Sequence, residues 1–276
     1  MYTHDITLIL VGLSIGTIGT LIGAGGGFLL VPFLLLVEQI HSKLAVGISL
    51  AVVFFNALSG TIAYMRQKRI DYRSGCYFLL SSIPGAIIGT SLTGLFKGEV
   101  FKFIFGGLLL LVVFRMLKPI IFPKRNSTNP SDIEAAVAME AKLTVRKLID
   151  ETGHEYHYSF SIKYGIILSF FVGIYSGLFG VGGGILHVPI MIGILGFPTH
   201  IASATSHFIL VFTSLASTIE NITNGNIDYR IVGLLSTGII IGAQVGAYLS
   251  NRVNEKWLKI ILAFFLVTTA LKMMFF

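Results

Sequence analysis

Residues 23–32 read GAGGGFLLVP, and residues 180–189 read GVGGGILHVP. Each decapeptide places four glycines in five positions, lies in an uncharged stretch and closes with Val-Pro. A glycine in a helix interior costs roughly 1 kcal/mol relative to alanine, so four of them predict a local break in any helix passing through. Inside a bilayer, unwound backbone survives only where it lines a cavity or is buried in protein. The two breaks are therefore read as the working site of a transporter.

The surrounding composition calls for a membrane. Hydrophobic residues make up 54% of the 276, charged residues 12%, and the mean hydropathy is +0.84. A soluble domain carries about 25% charged residues. Uncharged runs extend over Ile6–Val37, Leu44–Met65, Ser74–Phe96, Tyr164–Ile219 and Ile231–Asn251. Several exceed the roughly 20 residues that cross a bilayer. No Lys or Arg precedes Lys43, so the first span reads as retained rather than as a cleaved signal. The single cysteine, Cys76, excludes an internal disulfide and a cysteine metal site. The net charge of +7 sits at span ends and loops, where it sets orientation rather than binding nucleic acid.

Taken in order, Ile6–Val37 would be about 48 Å long as one helix, against a hydrocarbon core of about 30 Å. A break at Gly23–Gly27 resolves the mismatch, leaving two half-helices or a span plus a re-entrant piece. Further spans are expected near 43–64, 74–96, 99–121, 163–195, 199–219, 231–250 and 255–275. The polar residues 123–162 between them form a connector, expected on the cytoplasmic side. Ser131-Asp-Ile-Glu134 has capping-box spacing, and the good helix formers that follow predict a short amphipathic helix over Ala135–Asp150.

The chain then repeats itself. An offset of 157 takes Gly23–Pro32 onto Gly180–Pro189, Ser49 onto Ser206 and Ile70-Asp-Tyr-Arg73 onto Ile227-Asp-Tyr-Arg230. It also takes Gly85-Ala86 onto Gly242-Ala243 and Gly89 onto Gly246. The expected architecture is an all-α membrane protein of about eight transmembrane helices, in two four-span repeats at 1–122 and 163–276. The first helix of each repeat is broken at its glycine run. Such duplicated bundles point to secondary transporters with a site between the copies.

With eight crossings, the N-terminus, the even-to-odd loops and the C-terminus hold 14 Lys and Arg, and the remaining loops hold 6. The positive-inside rule then puts both termini in the cytoplasm. Against this, Arg66, Lys68 and Arg69 become Thr223, Gly225 and Asn226 in the second repeat. If each break reverses the chain, the repeats have odd numbers of crossings and opposite orientations.

The glycine break followed by Val-Pro, then Lys-Leu-Ala-Val-Gly-Ile-Ser (43–49) and Ile-Ala-Ser-Ala-Thr-Ser (201–206), resembles the TauE/SafE sulfite exporter family. The resemblance covers nearly all the chain outside 122–162. It implies a bacterial or archaeal inner-membrane carrier of sulfite, sulfoacetate or related sulfur-containing organic anions.

The candidate substrate site comprises Gly23, Ala24, Gly25, Gly26 and Gly27 with Gly180, Val181, Gly182, Gly183 and Gly184. Half-helices starting after Gly27 and Gly184 would aim two positive helix ends at one cavity. That suits an oxyanion, and no Lys or Arg lies in the middle of any span. The bland alternative is packing of helices through small residues. A nucleotide loop is excluded, because neither run is followed by Lys-Ser/Thr. Ser49, Thr205 and Ser206 are candidate hydroxyl donors, with back-bonding to a carbonyl as the alternative. His187 and His207, whose offset partners are Leu30 and Leu50, are candidate anion donors or proton carriers. A neutral packed imidazole is the alternative there. Asn56 and Gln244 are secondary candidates, more often interhelical glue.

No cofactor, metal site or nucleic-acid partner is expected, and no enzymatic constellation appears in the spans. The expected partners are the lipid bilayer and a small anion, sulfite or an organosulfur anion; a homo-oligomer is left open. Moving one charge across 100 mV is worth about 2.3 kcal/mol, so an anion leaves an interior-negative cell downhill. The leading expectation is an exporter working by alternating access. The alternatives are proton-coupled uptake of an organosulfonate or thiosulfate-type anion and a passive anion channel.

Overall fold

The computed structural model describes residues 2–93, 98–121 and 143–250, with scattered positions between 263 and 274. Its helices are α1 (Tyr2–Ile22), α2 (Gly27–Leu36), α3 (Ser42–Arg66), α4 (Tyr72–Leu92) and α5 (Gly98–Ile121), then α6 (Ile162–Phe179), α7 (Gly184–Gly193), α8 (Thr199–Thr223) and α9 (Tyr229–Leu249). Two strands, β1 (Thr144–Ile149) and β2 (Glu155–Phe160), lie between α5 and α6. Among the described residues six helices are long and apolar enough to cross a membrane: α1 from His4, α3, α4, α6, α8 and α9. The chain is a mostly helical, multi-pass membrane protein. The span expected at 255–275 falls almost wholly outside the described residues.

The two Ile-Asp-Tyr-Arg tetrapeptides start helices. Asp71 accepts from the Ser74 amide at 3.0 Å and opens α4; Asp228 accepts from the Arg230 and Ile231 amides at 2.9 and 3.1 Å and opens α9. Both are side-chain N-caps, which satisfy amides that have no intrahelical acceptor.

The helices α1 and α2 turn back on one another. His4, at the start of α1, lies 3.2 Å from Glu38, just beyond the end of α2. The same happens at α6 and α7: the ring of Phe197, after α7, packs tilted against that of Phe160, just before α6, with centroids 4.7 Å apart. Neither pair carries the chain to the opposite end of the bundle. From the N-terminal end α3 crosses to the far end and α4 returns, so that Ser91 meets Glu220 of α8 at 2.6 Å. α8 runs opposite to α3: Gly60 faces His207, and Gly47 faces Asn226 and the side chain of Asn221.

Small residues set the tightest helix contacts. Gly242 and Gly246 of α9 lie against the carbonyls of Leu13 and Thr17 in α1, and Gly85 and Gly89 of α4 against those of Phe170 and Ile174 in α6. Every member of the second set is the first shifted by 157 residues. Backbones approach this closely only where a side chain is missing, the usual device for helix association in lipid.

The connector departs from expectation. The helix expected over Ala135–Asp150 is replaced at Thr144–Ile149 by a strand, paired antiparallel from Thr144↔Phe160 to Ile149↔Glu155. Residues 122–142 lie outside the described residues. Two-residue alternation wins here: Tyr156, Tyr158 and Phe160 turn inward on β2 while Glu155, His157 and Ser159 face out. Their inward faces join Phe78, Met191 and Phe197 in one apolar cluster. The hairpin thus corrects the expected connector helix, while the apolar segments around it are helical as expected.

Candidate substrate site

Both glycine runs break the helix and leave its successor without a side-chain cap, although the Gly184 amide donates to the Gly182 carbonyl at 2.8 Å. Gly26 (φ 80°) and Gly183 (φ 68°) hold the N-cap positions of α2 and α7 in the left-handed region, where a side chain would strain the backbone. Neither position supplies a side-chain cap. The first amides of a helix have no intrahelical acceptor, and here the helix starts at Gly27-Phe28 and Gly184-Ile185 are buried. The two starts meet. A Cβ on Gly27 would lie 2.7 Å from the carbonyl oxygens of Gly180 and Val181, and one on Gly184 would lie 2.8 Å from Ala24 Cα and the Gly23 oxygen. Two positive helix ends thus converge on one buried centre.

Val53 and Leu210, offset partners that sequence reasoning missed, close over this centre. A Cβ on Gly25 would meet Leu210 at 3.0 Å and Val53 at 3.4 Å; one on Gly182 would meet the same two side chains. Their exact 157-residue relation was the signal available.

The polar candidates divide. Ser49 donates to the Gly180 carbonyl at 2.6 Å and ties α3 to the second break. Thr205 accepts from the Asp71 amide at 3.0 Å, fixing the α3–α4 loop rather than facing the centre. Ser206, the partner of Ser49, is buried with an Oγ that has no hydrogen-bond partner among the described residues. His187 pairs with Ser169 at 3.0 Å, a link between α6 and α7. Gln244 donates to the Ser59 carbonyl and hydroxyl at 2.7 and 2.9 Å and is interhelical glue.

Asn56 and His207 belong to one polar group against the last turn of α1. Thr20 donates to Asn56 Oδ1 at 2.9 Å, and Tyr64 donates to the Thr20 carbonyl at 2.8 Å. The His207 ring stands edge-on to Tyr64, centroids 5.4 Å apart, and fills the space left by Gly60. Thr20 and Tyr64 were not singled out in the sequence, and the duplication preserves none of the group: the offset partners of Thr20, Asn56, Tyr64 and His207 are Gly177, Thr213, Asn221 and Leu50. The two halves of the centre are therefore chemically unequal. Among the described residues no cluster of three or more His, Cys, Asp or Glu is placed to hold a metal.

Beyond the bundle, the hairpin clamps the α3–α4 loop. Asp150 pairs with Arg69 at 3.1 Å, Tyr158 donates to Asp71 at 2.7 Å, and Arg146 lies 3.8 Å from Asp71. Burial alone would raise the Asp150 carboxyl, but hydrogen bonds from Thr152, Arg69 and the His154 amide outweigh it and hold it well below the usual carboxylate range. Burial pushes the Tyr158 hydroxyl up, and the neighbouring Asp71 carboxylate adds to the shift.

The Sulfite exporter TauE/SafE family model matches residues 8–273. The "Probable membrane transporter protein YunE" of Bacillus subtilis (strain 168) is 32% identical over 269 residues, 95% of this chain and 94% of that protein. A second Bacillus subtilis protein, "Probable membrane transporter protein YjnA", is 27% identical over 277 residues, 98% of this chain and 99% of that one. The Arabidopsis thaliana "Sulfite exporter TauE/SafE family protein 5" is 34% identical over 109 residues, 38% of this chain and 24% of that protein. No solved structure matches. A family match over almost the whole length, on a bundle of apolar helices, establishes that the chain belongs to the TauE/SafE family of membrane transporters.

Proposed function

We propose that the protein is a secondary transporter that exports sulfite or a related small sulfur-containing organic anion across the cytoplasmic membrane. The observation that carries this reading is the meeting of two buried helix starts without a side-chain cap, Gly27 of α2 and Gly184 of α7. An anion between them would accept from backbone amides at the positive ends of both helices, with no cation in the core to hold it too tightly. Its binding energy is shared by two elements that can separate, as alternating access requires. Val53 and Leu210 are the side chains that must part when the centre opens.

The architecture is two copies of four helical segments in opposite orientation, each copy beginning with a broken, returning element. The glycine contacts at a constant offset of 157 residues support the duplication, and the returns at His4–Glu38 and Phe160–Phe197 support the inversion. With the span expected at 255–275, each copy would then cross three times. This revises the orientation expected from eight crossings. Among the described residues Arg66, Lys68, Arg69, Arg73, Arg146, Lys147 and Lys163 collect at the hairpin end, against Lys43, Lys102 and Arg230 at the other. The hairpin end is the cytoplasmic one by the positive-inside rule, and the N-terminus faces outward.

The purified protein in liposomes, assayed with labelled sulfite, thiosulfate and sulfoacetate, tests the function. Saturable flux of at least one of them is expected; no flux of any small anion would sink the reading.

A further inference from the structure

We propose that the anion crosses together with one proton, held at His207; this rests on the transport reading above. His207 Nδ1 lies 3.2 Å from the Ser203 carbonyl oxygen. A carbonyl only accepts, so Nδ1 carries the hydrogen and the neutral ring offers Nε2 as a bare acceptor. That nitrogen is buried and has no hydrogen-bond partner among the described residues. Asn56 is its complement: Thr20 occupies its oxygen, and its buried Nδ2 is an unused donor. Both belong to one group, since a Cβ at Gly60 would lie 3.1 Å from His207 Nε2 and 3.1 Å from Thr20 Cγ2. An unused donor and an unused acceptor, both buried in the one group, are costly unless a ligand completes them.

The ligand must therefore bring an acceptor for Asn56 and a hydrogen for His207. A fully deprotonated oxyanion brings only acceptors and would face the Nε2 lone pair. The monoprotonated anion satisfies both groups. Its O–H proton can pass to Nε2, breaking the O–H bond, forming N–H and leaving an imidazolium beside the anion; release at the other face reverses the transfer. The groups around the ring leave this proton uncontested. From α3 the titratable neighbour is Tyr64, already donating to Thr20. The last turn of α1 and the facing part of α9 bring no charged residue. At the hairpin end, Asp71, Arg146, Arg69 and Asp150 pair among themselves. Leu50, at the matching position of the other half, cannot carry a proton, and the other buried imidazole, His187, has Ser169 as its partner.

The test is the stoichiometry of labelled sulfite, net charge and protons in liposomes clamped with potassium and valinomycin and loaded with a pH dye. The wild-type protein is expected to move one proton and one net negative charge per sulfite. His207→Gln, which can donate through its amide, should retain flux but move two negative charges and no proton. His207→Leu should lose roughly tenfold or more in flux, the scale of one buried hydrogen bond left unmade. Wild-type flux with two charges and no proton, or unchanged coupling in His207→Leu, would overturn this inference and leave the transport reading standing. Absence of flux for sulfite, thiosulfate and sulfoacetate alike would overturn both.

Discussion

Gly27 of the first break packs on the Val181 carbonyl of the second, so closely that a single methyl group would lie 2.7 Å from the oxygen. Gly184 makes the matching contact with Ala24. The obstacle in both cases is backbone, which cannot rotate aside. Gly27→Ala and Gly184→Ala should each lower stability by about 1–3 kcal/mol, the usual scale of overpacking, and abolish anion flux. Melting of the detergent-solubilised variants, read with flux, checks this. A variant with wild-type melting and wild-type flux would show that the breaks need not touch.

The hairpin should come loose when its ion pair is broken. Arg69 and Asp150 are 7% and 1% exposed, and removing one partner of a buried pair costs about 3–5 kcal/mol. Asp150→Asn should therefore speed amide hydrogen exchange across β1 and β2 while leaving α8 and α9 protected. Exchange unchanged in the variant would mean that the apolar cluster around Phe197 holds the hairpin unaided.

Acid should have the same local effect. The Asp150 carboxyl is held below its ordinary value, so its contribution is complete above the unfolded value of about 4 and is lost as the pH falls below it. Hairpin exchange, corrected for the intrinsic rate, should be flat from neutral pH down to about 5 and rise only beneath about 4. A rise beginning near neutral pH would point to a different group.

Orientation can be read with thiols. With the exposed Cys76 replaced by Ser, an impermeant maleimide should label His4→Cys in intact cells and Lys147→Cys only after permeabilisation. The reverse pattern would return the N-terminus to the cytoplasm and overturn the positive-inside assignment, whereas labelling of both positions from the same face would contradict the inverted arrangement.

How much of this was legible depends on the kind of signal. The breaks could be placed because a run of three glycines marks a helix break better than spaced packing glycines do; in the fold Gly25, Gly26, Gly182 and Gly183 take a positive φ, while Gly27 and Gly184 serve close packing. Asp71 and Asp228 could be recognised by their repetition, although their role as caps emerged only in three dimensions. The direction of the chain after each break was not legible, since composition looks the same for a half-helix that continues and one that returns. The loss of the Arg66–Arg69 cluster at Thr223–Asn226 was the one trace of inversion. The hairpin was misread because helix formers upstream outweighed the short alternation of Tyr156, Tyr158 and Phe160. Within the site, His207 stood out as a titratable side chain inside an apolar span, and Asn56 as an amide in one. Thr20 and Tyr64 did not, because hydroxyls and tyrosines are common in membrane helices for reasons of their own.

Counterflow tests the transport cycle most directly. Liposomes containing the protein and loaded with unlabelled sulfite are diluted into a trace of labelled sulfite. Transient, saturable accumulation of label above equilibrium is expected, absent in Gly27→Ala and Gly184→Ala. Label that only equilibrates, at a rate proportional to concentration and indifferent to both substitutions, would contradict an anion carried between the two glycine breaks.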